Sequence, residues 1–95
     1  MDEKISVQVE FSSAMKESVG QGTVRISLDP PADVRGALES LVAGKVRRDT
    51  LFEGQDLRRD LQVFVNGRNI KFVGGLEAAL KSGDVLAIFP PTFGG

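Results

Sequence analysis

The stretch that most resembles a chemical tool is the last one in the sequence, Pro90-Pro91-Thr92-Phe93-Gly94-Gly95. Two closing glycines leave a thin, unhindered carboxylate whose backbone accepts unusual angles, so Gly95 can be threaded into a narrow site on another protein. Pro90 and Pro91 stiffen the approach. Thr92 and Phe93 lie on the same thread, and Phe93 is a candidate anchor for a partner pocket. Extended, residues 90–95 reach roughly 20 Å, enough for a folded body to stay outside while Gly95 enters. The expectation is a substrate handle on a compact carrier.

Elsewhere the chain is poor in reactive groups. It has no cysteine and no histidine, which removes thiol nucleophiles, disulfides and the commonest general base and metal ligand. Scattered carboxylates do not make a metal site, so none is expected. Gly36 to Gly44-Lys45 has the wrong spacing for a phosphate loop, and Val46 stands where a hydroxyl is needed. Gly20-Gln21-Gly22 lacks its third glycine, Arg25 standing there. The body is therefore expected to supply no catalytic residue and to bind no cofactor.

Ninety-five residues allow one domain, read as a body over 1–91 and a flexible tail over 92–95. The apolar fraction of 41% and charged fraction of 26% suit a globular core. With 12 basic and 13 acidic residues, the net charge of -1 gives no field to draw nucleic acid or an acidic membrane. Nor do aromatics interleave with basic residues as in a single-strand binder. The start, Met1-Asp2-Glu3-Lys4, is not a signal peptide, and the longest apolar run, 85–89, is too short for a membrane span. A cytoplasmic location is expected.

Ile5, Val7, Val9 and Phe11 alternate with polar residues, which predicts a strand with one buried face, and Val24, Ile26 and Leu28 predict a second. A longish connection through Gly20 and Gly22 joins them. After Asp29-Pro30-Pro31 the stripe Val34, Ala37, Leu38 and Leu41 predicts a helix from about Asp33, which with Asp29 is a candidate cap, to Gly44. Gly36 inside it suggests a close helix–sheet contact. Residues 45–60 carry dense mixed charge and read as a solvated segment, pinned by Leu51, Phe52 and Leu57. Residues 61–65 predict a third strand, Asn66-Gly67 a tight turn, and 70–72 a short return strand. Gly74-Gly75 breaks it, residues 76–80 read as one helical turn, and 85–89 as a central strand buried on both faces.

Strand, strand, helix, strand, short strand, strand is an α+β roll: a mixed sheet of four to five strands with one main helix across it. This order resembles the ubiquitin-like (β-grasp) sulfur carriers, and most of all the small subunit of molybdopterin synthase and its archaeal relatives. The residues that carry the resemblance are Val63-Phe64-Val65-Asn66-Gly67, Gly75-Leu76, Gly83-Asp84-Val85, Phe89-Pro90-Pro91 and Gly94-Gly95. They cover about a third of the chain; residues 1–41 agree only in element order.

The resemblance implies a cycle centred on Gly95. An E1-like adenylating enzyme uses ATP to activate the carboxylate, a sulfur donor displaces AMP, and the resulting thiocarboxylate gives sulfur to an organic precursor. The acceptor would be the large subunit of molybdopterin synthase or another sulfur-accepting synthase. An α-carboxylate with pKa about 3.3–3.7 is an anion at neutral pH and a poor electrophile, so adenylation is the step that makes it reactive. Alternatives of the same chemistry feed cysteine, thiamine or tRNA thiolation. Another is a protein modifier joined through Gly95 to lysines. Phe89, Pro90, Pro91, Arg68 and Lys71 are candidate docking residues, with Arg58 and Arg59 as further cations for an acidic partner surface. Phe72 and Phe89 otherwise read as core.

Overall fold

The computed structural model describes residues 3–44 and 46–90. Positions 91–95, and with them Pro91, Thr92, Phe93, Gly94 and Gly95, lie outside the described residues.

Alternation along the first two strand segments does what it predicts. β1 (Ile5–Phe11) buries Val7, Val9 and Phe11, and β2 (Thr23–Leu28) buries Ile26 and Leu28. The two pair antiparallel, Ile5 opposite Leu28 and Glu10 opposite Thr23. Their connection contains a short helix, α1 (Ser13–Val19), which the sequence reading missed. Ser12 caps it by accepting from the Met15 N–H, and Gly20 closes it in the left-handed region at φ 91°. Met15 is buried and Val19 packs on the core.

After the two-residue strand β3 (Ala32–Asp33) comes the main helix, α2 (Val34–Gly44). Asp33 is its cap: Oδ1 accepts from the Gly36 N–H at 2.8 Å. A Cβ on Gly36 would come within 3.2 Å of that same oxygen. The glycine thus makes room for the cap, not for the sheet contact expected from the sequence. Val34, Ala37, Leu38 and Leu41 are buried against the sheet. Fully burying a valine or leucine side chain is worth about 1.5–3 kcal/mol, so Val34, Leu38 and Leu41 together outweigh the roughly 1 kcal/mol helix cost of Gly36.

The segment after α2 is more ordered than mixed charge suggested. α3 (Arg48–Leu51) leads into a small hairpin, β4 (Phe52–Glu53) and β5 (Asp56–Leu57), turning through Gly54 at φ 65°. Leu51 and Phe52 are buried and Leu57 packs beside them, as expected. Arg48 lies over the Phe52 ring at 4.5 Å and pairs with Glu39 of α2 at 2.8 Å. Arg35 of α2 donates to the Gln55 carbonyl at 2.7 Å.

β6 (Gln62–Val65) turns at Asn66-Gly67 into β7 (Arg68–Asn69). The return strand expected at 70–72 is instead a 3-10 turn, because Asn69 accepts from the Lys71 N–H and caps it. A second 3-10 turn, Gly75–Glu77, replaces the expected helical turn at 76–80. β8 (Ala79–Leu80) then pairs with β3. β9 (Val85–Phe89) closes a five-stranded sheet of order β2-β1-β9-β6-β7, parallel to β1 and antiparallel to β6. This is the ubiquitin-like β-grasp roll. β9 is central as expected, but not buried on both faces. Leu86 and Ile88 are fully buried, Val85 and Ala87 only half, and Phe89 is 41% exposed. Among the described residues, the second face of the sheet is left open along β9, at Val85, Ala87 and Phe89.

Candidate functional site

The open sheet face is built from the positions that alternate away from the core. With Val63 and Ile88 inward, Phe64 and Phe89 project outward. Phe64 pairs across to Ala87 and Gln62 to Phe89, so the two rings are diagonal neighbours. They meet edge to face, with centroids 5.6 Å apart and planes at 87°, a preferred geometry for an aromatic pair. With Glu10, Val85, Ala87, Asn66 and Gly67 they line a shallow, largely apolar groove of about 520 Å³. It runs the length of β9 and ends at Phe89, next to Pro90, the last described residue.

The other end of the groove is held by a polar clasp. Asn66 sits at φ 50° and Gly67 at φ 85°, the positive angles that a tight hairpin turn requires. The Asn66 side chain donates to Asp84 Oδ1 at 2.9 Å and accepts from the Val85 N–H at 2.9 Å. Asp84 Oδ2 accepts from the Lys81 N–H at 2.8 Å. Asp84 is the buried charged residue among those described, and both its oxygens are engaged. The clasp fixes the start of β9 against the end of β6, and so the register that sets Phe64 beside Phe89.

Beside Pro90, on the opposite side of the tail's root, lies a second and more polar cleft of about 640 Å³, lined by Arg47, Thr50, Arg58, Asp60 and Leu61. Arg58 grips Asp60 with two bonds, at 2.9 and 2.7 Å, and donates a third to the Asp49 carbonyl at 3.1 Å. The Arg58 hydrogen bond holds the Asp60 carboxyl below its usual range, against a smaller opposing effect of desolvation. The same bond raises Arg58. With Arg47 paired to Asp49, the cleft is charge-balanced.

The predicted docking residues divide. Phe89 and Pro90 stand at the root of the tail, and Phe89 is surface, not core. Arg68 and Lys71 are both exposed, and Arg68 sits at the far end: it is opposite Val65, whereas Phe89 is opposite Gln62. Phe72, read as core, is 85% exposed. Phe64 was missed, though an aromatic at the outward position of the 61–65 strand was a readable signal. Among the described residues no cluster of acidic side chains could hold a metal ion, and no helix is long and apolar enough to cross a membrane.

Residues 9–95 match the ThiS family. Small archaeal modifier protein 3 of Haloferax volcanii is 32% identical over 94 residues, 96% of this chain and 100% of the relative. The solution structure of small archaeal modifier protein 1 from Methanosarcina acetivorans superposes with a TM-score of 0.83 at 28% identity, covering 98% of this chain and 99% of that one. A chain of the crystal structure of the Amycolatopsis orientalis BexX/CysO complex gives a TM-score of 0.79 at 28% identity, over 94% of this chain and 99% of that one.

Proposed function

The chain belongs to the ThiS family of ubiquitin-like sulfur carriers, and from that premise we propose that it carries sulfur as a thiocarboxylate on Gly95. The observation that carries the reading is the uncovered aromatic face ending at the root of the Gly-Gly segment. A body that only had to fold would not leave Phe89 exposed and Phe64 half-covered beside the strand that launches the tail. Exposed apolar patches of this kind mark interaction sites. A partner that covers the groove receives the tail in a fixed direction.

The steps then follow from the chemistry of a carboxylate. An oxygen of Gly95 attacks the α-phosphorus of ATP on an E1-like enzyme, and pyrophosphate leaves. A hydrosulfide-level nucleophile attacks the acyl carbon, AMP leaves with the C–O bond electrons, and a thiocarboxylate remains. The favoured acceptor is the molybdopterin precursor on the large synthase subunit. Carriers for cysteine, thiamine or tRNA thiolation would use the same steps with another synthase. The likeness to a chain of the BexX/CysO complex supports a partner enzyme that takes the tail.

A second reading is favoured by the modifier proteins among the relatives: after activation, a lysine amine displaces AMP and Gly95 forms an isopeptide. Both readings share the activation step. Incubation with ATP, the cognate activating enzyme and sulfide is expected to raise the intact mass by about 16 Da, one oxygen exchanged for one sulfur. No rise would overturn the carrier reading. A ladder of protein adducts in cells, lost when Gly94-Gly95 is deleted, would select the modifier.

A further inference from the structure

The most exposed large apolar side chain among the described residues is not in the groove. Phe72 is 85% exposed and Val73 37%, at the tip of the 3-10 turn that follows β7. This tip is built. Ile70 beneath it is buried, Asn69 Oδ1 caps the turn at 2.9 Å from the Lys71 N–H, and the Val73 N–H closes it on the Ile70 carbonyl at 3.0 Å. Behind it Gly74 holds φ 123°, and a Cβ there would press within 3.2 Å of the Ala78 backbone. The fold therefore holds an aromatic ring out in water on a fixed support.

Its charged surroundings are one-sided. Arg68 and Lys81 line a cleft of about 250 Å³ together with Val73, Val65 and Ala78, and Lys71 directly precedes Phe72. None of these three cations takes part in an ion pair among the described residues. Of the carboxylates here, Asp84 has both oxygens engaged, which leaves Glu77. The cleft meets the sheet groove at Asn66, which lines both.

We propose that Phe72 and Val73, with Lys71 beside them in the chain and Arg68 and Lys81 in the cleft that Val73 lines, form a second docking epitope for an apolar pocket bordered by carboxylates on a protein that receives the tail. The proposal rests on the carrier reading above. Charge complementarity selects the occupant: an exposed ring next to Lys71, with Arg68 and Lys81 in the adjoining cleft and none of the three in an ion pair among the described residues, matches an acidic rim around an apolar socket. One ring, three cations and a net charge of -1 are too little for a nucleic-acid track, which needs a cationic groove and successive stacking rings. The cleft that Val73 lines, together with Asn66 and Asp84, lies at the end of β9 away from Pro90. A partner can thus grip it without obstructing the tail.

The test is calorimetric binding of the full chain to two proteins from the same organism, the activating enzyme and the sulfur-accepting synthase. Phe72→Ser is expected to weaken binding to at least one of them by about tenfold or more, as for an interface anchor. The double variant R68E/K81E should weaken the same complex and flatten its salt dependence. Thermal unfolding of both variants should match the parent, since no core contact is lost. A chain lacking Gly94-Gly95 should retain the part of the affinity that depends on Phe72. Affinities within about twofold of the parent for both proteins overturn the epitope, as does the absence of any binding by the parent. A Phe72→Ser effect confined to self-association, or to a single-stranded RNA oligonucleotide, also overturns it. The mass gain on Gly95 reports separately on the carrier reading, so a failed epitope with intact sulfur loading is recognised as such.

Discussion

Along β6 and β9 the two faces of the five-stranded sheet differ less in composition than in what covers them. Inward, Val7, Val9, Val63, Leu86 and Ile88 are all at 0 or 1% exposure under α2. Outward, along β6 and β9, stand Phe64, Val85, Ala87 and Phe89, apolar but half-covered or exposed. Apolar residues on a sheet thus hold the fold only where a layer is supplied to meet them. The other face is left for something outside the chain, and it points along β9 to the tail.

The comparison is broken most severely from the inner side. Leu86→Ala removes a fully buried side chain from the centre of the sheet and is expected to cost about 2–5 kcal/mol, read from urea unfolding. Asp84→Ala strips the acceptors from the Lys81 N–H and the Asn66 amide; a loss of about 1–3 kcal/mol follows. Because the clasp sets the β6–β9 register, outward contacts should loosen as well, visible as altered NMR shifts at Phe64 and Phe89. Phe64→Ser on the outer face should change stability by less than about 1 kcal/mol and yet weaken binding of the activating enzyme by about tenfold. If Phe64→Ser unfolds the chain as Leu86→Ala does, the two faces are equivalent and the docking account fails.

The smallest expected effect lies at the root of the tail. The Asp60 carboxyl is held low by Arg58, so its contribution to stability is present above the unfolded carboxylate pKa of about 3.9. It is lost as pH falls through the lower folded value. Asp60→Asn should therefore be slightly less stable than the parent at pH 6, and the gap should close in strong acid. The pair is half-exposed, and such ion pairs contribute little. A gap that widens on acidification would contradict the assignment.

Much of the scaffold was legible. Period-two alternation marked β1 and β2, the stripe Val34, Ala37, Leu38 and Leu41 marked α2, and Asn66-Gly67 marked the hairpin. Part of what could not be read was decided by contacts distant in sequence, part by local caps. A continuous apolar run at 85–89 cannot tell which face another layer will meet, so it looked buried on both. Residues 70–72 look like a strand until the Asn69 side chain caps them into a turn. Helix α1 was written in Ser12 and Gly20, but its seven residues show too few turns for a period to emerge. At the site, Pro90 was readable from type and position, while the tail's glycines lie outside the described residues. The pairing of Phe64 with Phe89 needed the β6–β9 register, and the separation of Arg68 from Phe89 needed the sheet order.

The most direct test follows sulfur loading of Gly95 by intact mass over time, with ATP, sulfide and the activating enzyme kept well below its dissociation constant. The parent is expected to gain about 16 Da. The double variant F64S/F89S should load about tenfold more slowly and recover when the enzyme is saturating. Equal loading of the two chains at low enzyme, or no mass gain in the parent, would contradict the account that the outer face docks and Gly95 reacts.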